Sequence, residues 1–161
     1  MARATLIAIK PHHFVDIVAA CGTGLATFEP HPYGHAVHTV AREILANLEM
    51  DLRIELGADD ICRPCCHLVD GRCDDTIDTS FRPAAPASKQ AYNRLLDQRW
   101  AKRLGLVQGD TLTARELCQR IQTQAADISD IYRENPPERI AAKQVQLQQG
   151  LARLLGQVDG P

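Results

Sequence analysis

Four cysteines fall within twelve residues, Cys62-Arg-Pro-Cys65-Cys66 through Gly71-Arg-Cys73, and this cluster constrains the chain more than any other feature. Two thiols separated by two residues can converge from one tight turn on a single metal centre, with backbone amides aimed at the sulfurs. Pro64 favours such a turn, and Gly71 lets the chain reverse ahead of Cys73. A nest of inert buried thiols is a poor alternative, because Arg63, Asp70, Arg72, Asp74 and Asp75 make the segment polar. A purely redox Cys-x-x-Cys pair normally opens a helix, which Pro64 and Cys66 disfavour. Spacing alone leaves the metal open. Cys62, Cys65, Cys73 and His67 satisfy a Cys3His zinc site, and the same three cysteines with a distant fourth ligand satisfy an iron–sulfur cluster.

The cysteines are not needed to replace a missing core. A chain of 161 residues, 45% hydrophobic, is long enough to bury one, and a single domain over 1–161 is expected. Lys+Arg 18 against Asp+Glu 20 leaves no basic excess for nucleic acid or an anionic membrane surface. The best apolar run, Ile17 to Ala26, is far short of the roughly 20 residues a membrane span needs and holds Cys21, Gly22, Thr23 and Gly24. The expectation is a cytoplasmic protein without nucleic-acid partner or membrane span, in a compartment that keeps thiols reduced for metal or redox work.

The pattern along the chain is α+β: a small sheet of two or three strands carrying the cysteine loop, packed by four or five helices. Residues 5–80 hold the strands and the loop, 81–87 read as a linker, and 88–161 are helical. Thr5 to Lys10 alternates and stops at Pro11, which marks a strand. His12 to Ala20 suits a short helix before the Gly22-Thr23-Gly24 turn. Val37, Val40, Ala41, Ile44, Leu45 and Leu48 recur at helical steps, which predicts a helix over Tyr33 to Glu49. Leu52, Ile54 and Leu56 alternate with charges as in a half-buried strand. Ser88 is a candidate N-cap for a helix ending at Leu104 before Gly105, and Thr113-Ala-Arg-Glu116 spells a capping box. Its apolar stripe is Leu117, Ile121, Ala125 and Ile128. Pro137 can open the last helix.

Several short motifs occur in a fixed order: Pro11-His12-His13, Gly22-Thr23-Gly24, Asp60-Ile-Cys62-x-x-Cys65, Gly71-x-Cys73 and Leu104-Gly105-Leu106. Over roughly residues 5 to 122 the chain resembles an uncharacterised prokaryotic domain-of-unknown-function family described as predicted iron–sulfur binding proteins. The resemblance implies an iron–sulfur cluster, expected as [4Fe-4S], on Cys62, Cys65 and Cys73. The chain departs from that family at Asp16, where a cysteine three residues after the His-His pair is common, and at Cys66, where proline is common. Ala26 to His35 reads as an insertion. With Asp16 in the usual cysteine position the fourth ligand is open, and Cys21, before a flexible turn, is the expected one, with Cys66 and then Asp16 behind it. Zn2+ stays the alternative metal.

Other residues could serve chemistry. His12 and His13 stand after a strand, where extended backbone would point them apart and leave at most one facing the site, and Asp16 could orient an imidazole or act as a base. These three are the catalytic candidates. His31, His35 and His38 would share a helix face as a second site, though Pro30, Pro32 and Gly34 oppose a continuous helix. Cys118 reads as a small core residue and Trp100 as a core anchor. From Arg82 to Arg103 Asp97 is the only acid, and that basic run is either a solvated face or a dock for an acidic redox partner.

Three functions follow as expectations. The first is a small iron–sulfur protein that exchanges electrons with a larger enzyme or redox partner. The second is an iron–sulfur enzyme with three cysteine ligands and an iron open to substrate. The third is a zinc-stabilised interaction module. Cys-x3-Cys-x2-Cys is absent from the sequence, which excludes the radical-SAM class.

Overall fold

The computed structural model describes residues 6–25 and 27–156. The Thr5 start of the expected first strand and Ala26 lie outside them. The fold is α+β, as the pattern predicts, with five helices, a three-stranded sheet and a two-stranded hairpin among the described residues.

The central strand is β2 (Asp51–Ile54), parallel to β1 (Ile7–Ile9) and antiparallel to β5 (Thr111–Thr113). Ile7 pairs Leu52 and Ile9 pairs Ile54, so the two parallel strands end side by side. Their carboxyl ends position the site. From one runs α1 (Pro11–Gly22), and from the other the loop that carries the cysteines. Helix α2 (Val37–Ala46) lies between them in sequence. It is shorter than the predicted Tyr33–Glu49 span: Gly34 adopts φ 78° ahead of it, and Asn47 is extended with its side chain accepting from the Glu49 N–H. The expected strand likewise stops at Ile54 rather than Leu56.

In the second half, α3 (Lys89–Leu104) is capped by Ser88, which accepts from Ala91 N–H, and closed by left-handed Gly105. Helix α4 (Ala114–Gln124) opens with both halves of the Thr113–Glu116 capping box. It ends before Ile128, which is fully buried in the following turns. Helix α5 (Pro137–Leu154) starts at its proline and packs along α1. The helices cross without side chains between them: a Cβ on Gly22 would overlap the Gln146 carbonyl, and one on Gly150 the Val18 carbonyl.

One hydrophobic core runs from Ile7 on β1 to Leu151 on α5. Buried Ala85 belongs to it, so residues 81–87 cross the core surface rather than separate two bodies. Trp100 is fully buried and donates from Nε1 to the Tyr132 hydroxyl at 3.0 Å, the anchor expected of it. Cys118 is equally buried, and burial pushes its thiol up to about 12.

Candidate metal centre and its cavity

The cysteine loop is a succession of turns. Asp59 caps its start by accepting from Cys62 N–H, Cys65 N–H bonds back to the Cys62 carbonyl at 2.9 Å, and Leu68 N–H bonds to the Cys65 carbonyl. The hairpin β3 (Leu68–Val69) and β4 (Arg72–Cys73) then sets Cys73 opposite Leu68. Its turn uses Gly71 at φ 76° and Asp70 at φ 51°. Both residues adopt the left-handed conformation that so tight a reversal requires. The segment before α2 braces the loop: Cys66 N–H bonds to the Tyr33 carbonyl at 2.7 Å and Ala36 N–H to that of Ile61 at 3.0 Å.

Cys62, Cys65 and Cys73 line one cavity of about 580 Å³ together with His12, His13, Lys10 and Asp16. The helices α3 and α5 close its other side with Tyr92, Asn93, Arg139 and Lys143, among others. That volume suits a metabolite-sized ligand.

Both histidines face this cavity, against the expectation that only one could. They lie in the first turn of α1, where consecutive side chains diverge by about 100° rather than 180°. Their rings sit 4.3 Å apart between centroids. Each is held from behind by a buried carboxylate. His13 Nδ1 lies 2.7 Å from Asp59 Oδ2, and His12 Nδ1 lies 2.8 Å from Asp97 Oδ1. An ionised carboxylate only accepts, so in both rings Nδ1 carries the proton and Nε2 is left with its lone pair.

The same carboxylates tie up the free N–H groups at the start of α1. Asp59 Oδ2 accepts from Lys10 N–H at 2.8 Å and Asp97 Oδ1 from His12 N–H at 2.9 Å. Asp59 is fully buried and all its bonds are to donors. Burial opposes its ionisation, but the His13 and backbone N–H donors outweigh that and hold its carboxyl well below the usual range. Burial, with His12 alongside, lowers the pKa of His13 despite Asp59, so its imidazole is neutral and can act as a ligand.

Ligand atoms of His13, Asp59 and Cys62 all lie within 4.8 Å of one another. Both Asp59 oxygens already accept hydrogen bonds, so its place is behind the ligands, which leaves His13 Nε2 and Cys62 Sγ as the free donor atoms of the three, while Cys65 and Cys73 line the same cavity outside this close group. Burial and the Asp59 charge push the Cys62 thiol up to about 11. A bound cation reverses that balance, since it stabilises the thiolate and the carboxylate together. Three thiols and a neutral imidazole are the donor set that zinc and iron–sulfur centres use.

Cys21 is not brought to this cluster. It lies eight residues beyond His13 on α1, about 12 Å along the helix, with its carbonyl bonded to Arg153 of α5, and it does not line the cavity. The helix that carries His12 and His13 into the cavity carries Cys21 away from it. Cys66 is exposed and does not line the cavity. His67 does not either; its Nδ1 is engaged by Asp74 and its ring packs on Tyr33. Asp16 lines the cavity but is paired with Lys143 at 2.6 Å.

Of the three spaced histidines, His31 and His35 stack at 4.5 Å without a helix between them, and only His35 reaches the cavity. His38 sits on α2 with a buried Nδ1 that has no partner, as has His35 Nδ1. The basic run divides. Arg99 pairs with Glu134 and Arg103 with Asp130, while Arg82 and Lys89 reach the cavity.

Sequence reasoning left out Lys10, Asp59 and Asp97 as site residues. Asp97 does carry a signal, as the single acid in a run of bases.

Scans against protein-family models, curated proteins and solved structures each found no match to this chain. The functional reading therefore rests on the site itself. No helix among the described residues is long and apolar enough to cross a membrane.

Proposed function

We propose that this chain is an iron–sulfur protein whose centre, a [4Fe-4S] cluster on Cys62, Cys65 and Cys73, faces a ligand cavity, with His13 as the fourth protein donor. The observation that carries the reading is that Cys62, Cys65 and Cys73 line one cavity with His13, of which Cys62 comes within 4.8 Å of His13, whose Nε2 is freed by the Asp59 bond. Cys62, Cys65, Cys73 and His13 would hold the cluster, which would supply electrons or a Lewis-acidic iron at the cavity.

The chain's own residues take defined parts. Asp59 fixes the His13 ring and sets its tautomer. The His12–Asp97 pair holds a basic Nε2 at the cavity, where it can take a proton from a bound molecule or return one. Lys143 holds Asp16 at the rim. A cavity with such a pair favours an enzyme acting on a small molecule over a carrier of electrons alone, and the family resemblance points to the same cofactor.

Electron exchange with a larger redox partner remains the second reading, favoured by one observation. Cys62, Cys65 and Cys73 are half-buried rather than buried, so the centre lies close to the surface.

Anaerobic purification followed by iron, sulfide and zinc analysis tests the proposal. About four irons and four sulfides per chain are expected for a [4Fe-4S] cluster. One zinc with neither iron nor sulfide would overturn it and leave a zinc-stabilised site. Cyanide that alters the cluster's EPR spectrum selects the enzyme; an unaltered spectrum selects the carrier.

A further inference from the structure

The cavity's charge is one-sided. Five cations line it, Lys10, Arg82, Lys89, Arg139 and Lys143, against one acid, Asp16. Two of the five are neutralised locally, Lys143 by Asp16 and Lys89 by Asp75. Lys10, Arg82 and Arg139 make no close ion pair among the described residues, although the exposed Asp78 carboxylate is near enough to both guanidiniums for their charges to help hold it ionised.

The two guanidiniums are held in place by stacking rather than by ion pairs. Arg82 lies 4.7 Å from the ring centres of both Phe81 and Tyr92, and Arg139 lies 3.7 Å from that of Phe81. Arg82 Nε also donates to the Asp78 carbonyl at 2.8 Å. Aromatic stacking engages the guanidinium faces and leaves terminal N–H groups free in the plane. Each guanidinium beside Phe81 thus offers a planar fork of the kind that matches carboxylate geometry.

Lys10 stands at the cysteine side of the same cavity. It is only 5% exposed, and neither ion pair nor hydrogen bond fixes its ammonium among the described residues. Its stem is buried while its ammonium is not sealed from solvent, so it stands at the cavity as an available cation.

We propose that the cavity binds a small organic dianion, one carboxylate seated on Arg82 and Arg139 and the other directed toward Lys10 beside the cysteines. This deepens the reading of the cavity as a substrate site by assigning the substrate's chemical class. The ligand's reactive end then lies at the metal corner, next to His12 Nε2, while its remote carboxylate supplies binding and orientation.

The test uses the full chain, prepared both metal-free and metal-loaded, titrated by calorimetry at low ionic strength. The probes are succinate, its neutral diamide and inorganic phosphate. Succinate is expected to bind and the diamide not. Arg82→Gln and Arg139→Gln should each weaken succinate about tenfold or more, with thermal unfolding near that of the parent. Arg139→Lys keeps the charge but loses the fork, and should recover only part of the affinity.

No binding of succinate at millimolar concentration, equal binding of the diamide, or affinity unchanged in both folded Arg→Gln variants would overturn the proposal. Binding of phosphate alone would overturn it too. Because the anion is titrated with and without metal, loss of the iron–sulfur reading and loss of this one are separate results. A chain that takes up no iron yet binds succinate through Arg82 and Arg139 sinks only the former.

Discussion

His13 Nδ1 meets Asp59 Oδ2 at 2.7 Å, and that bond joins the first turn of α1 to the first turn of the cysteine loop, 46 residues on. It is made on a fully buried carboxylate that also accepts from Lys10 and Cys62 N–H. One side chain therefore closes the helix start, opens the loop and fixes the imidazole.

Asp59→Asn should weaken metal binding by about 10- to 100-fold, the usual loss when the group behind a histidine ligand is changed. Asn offers one acceptor oxygen where the aspartate offers two, so its NH2 must face either Cys62 N–H or the Lys10 and His13 donors and can accept from neither. Competition against a chelator measures the loss. Affinity equal to the parent's would remove Asp59 from the centre.

Among the cysteines, Cys62→Ser, Cys65→Ser and Cys73→Ser should each deplete the metal. Cys21→Ser, Cys66→Ser and Cys118→Ala should leave metal content unchanged, because none of these three lines the cavity. Metal lost on Cys21→Ser would mean that α1 does not hold the position described for it.

The His12 and His13 imidazoles should both be the Nδ1–H tautomer in the metal-free protein. Nitrogen-15 NMR distinguishes the two ring nitrogens directly. Asp97→Asn should change the His12 pattern and leave that of His13 in place.

Gly150→Ala should destabilise the fold by about 1–3 kcal/mol net of helix propensity. Alanine alone would add about 1 kcal/mol of propensity in a helix interior. Here its Cβ overlaps the Val18 carbonyl of α1, and backbone cannot move aside as a side chain would. Chemical denaturation measures the difference.

Glu134 accepts two bonds from Arg99, at 2.6 and 2.8 Å, with both side chains mostly buried. The Arg99 bonds outweigh burial and hold its carboxyl below the usual value. A depressed carboxylate stabilises the fold above its unfolded pKa, about 4.3, and that contribution is lost as pH falls through the lower folded value. Glu134→Gln should therefore cost about 1–3 kcal/mol at pH 7, and progressively less below about pH 4. Parallel melts across that window check it, and a difference that grows on acidification would contradict the assignment.

Local chemistry settled much of this protein without reference to the rest of the chain. The Thr113–Glu116 box, Ser88 with Gly105, and Pro137 mark helix ends because capping is decided within a few residues. The cysteine turn reads the same way, since the bonds that fold it, from Cys62 N–H to Asp59 and from Cys65 N–H to Cys62, and its Gly71 reversal lie inside one short segment. The partner of each cavity group is different. His12 and Asp97 are 85 residues apart, and Lys143 and Asp16 are 127 apart. No spacing rule reaches that far, because such pairs exist only once β1 and β2 lie parallel and α3 and α5 have packed on α1. The same packing decided against Cys21: its sequence neighbours and type suit a ligand, but helix geometry carries its side chain away from the cavity. Composition and spacing determined what kinds of ligand this chain owns, and only the tertiary structure decided which of them meet.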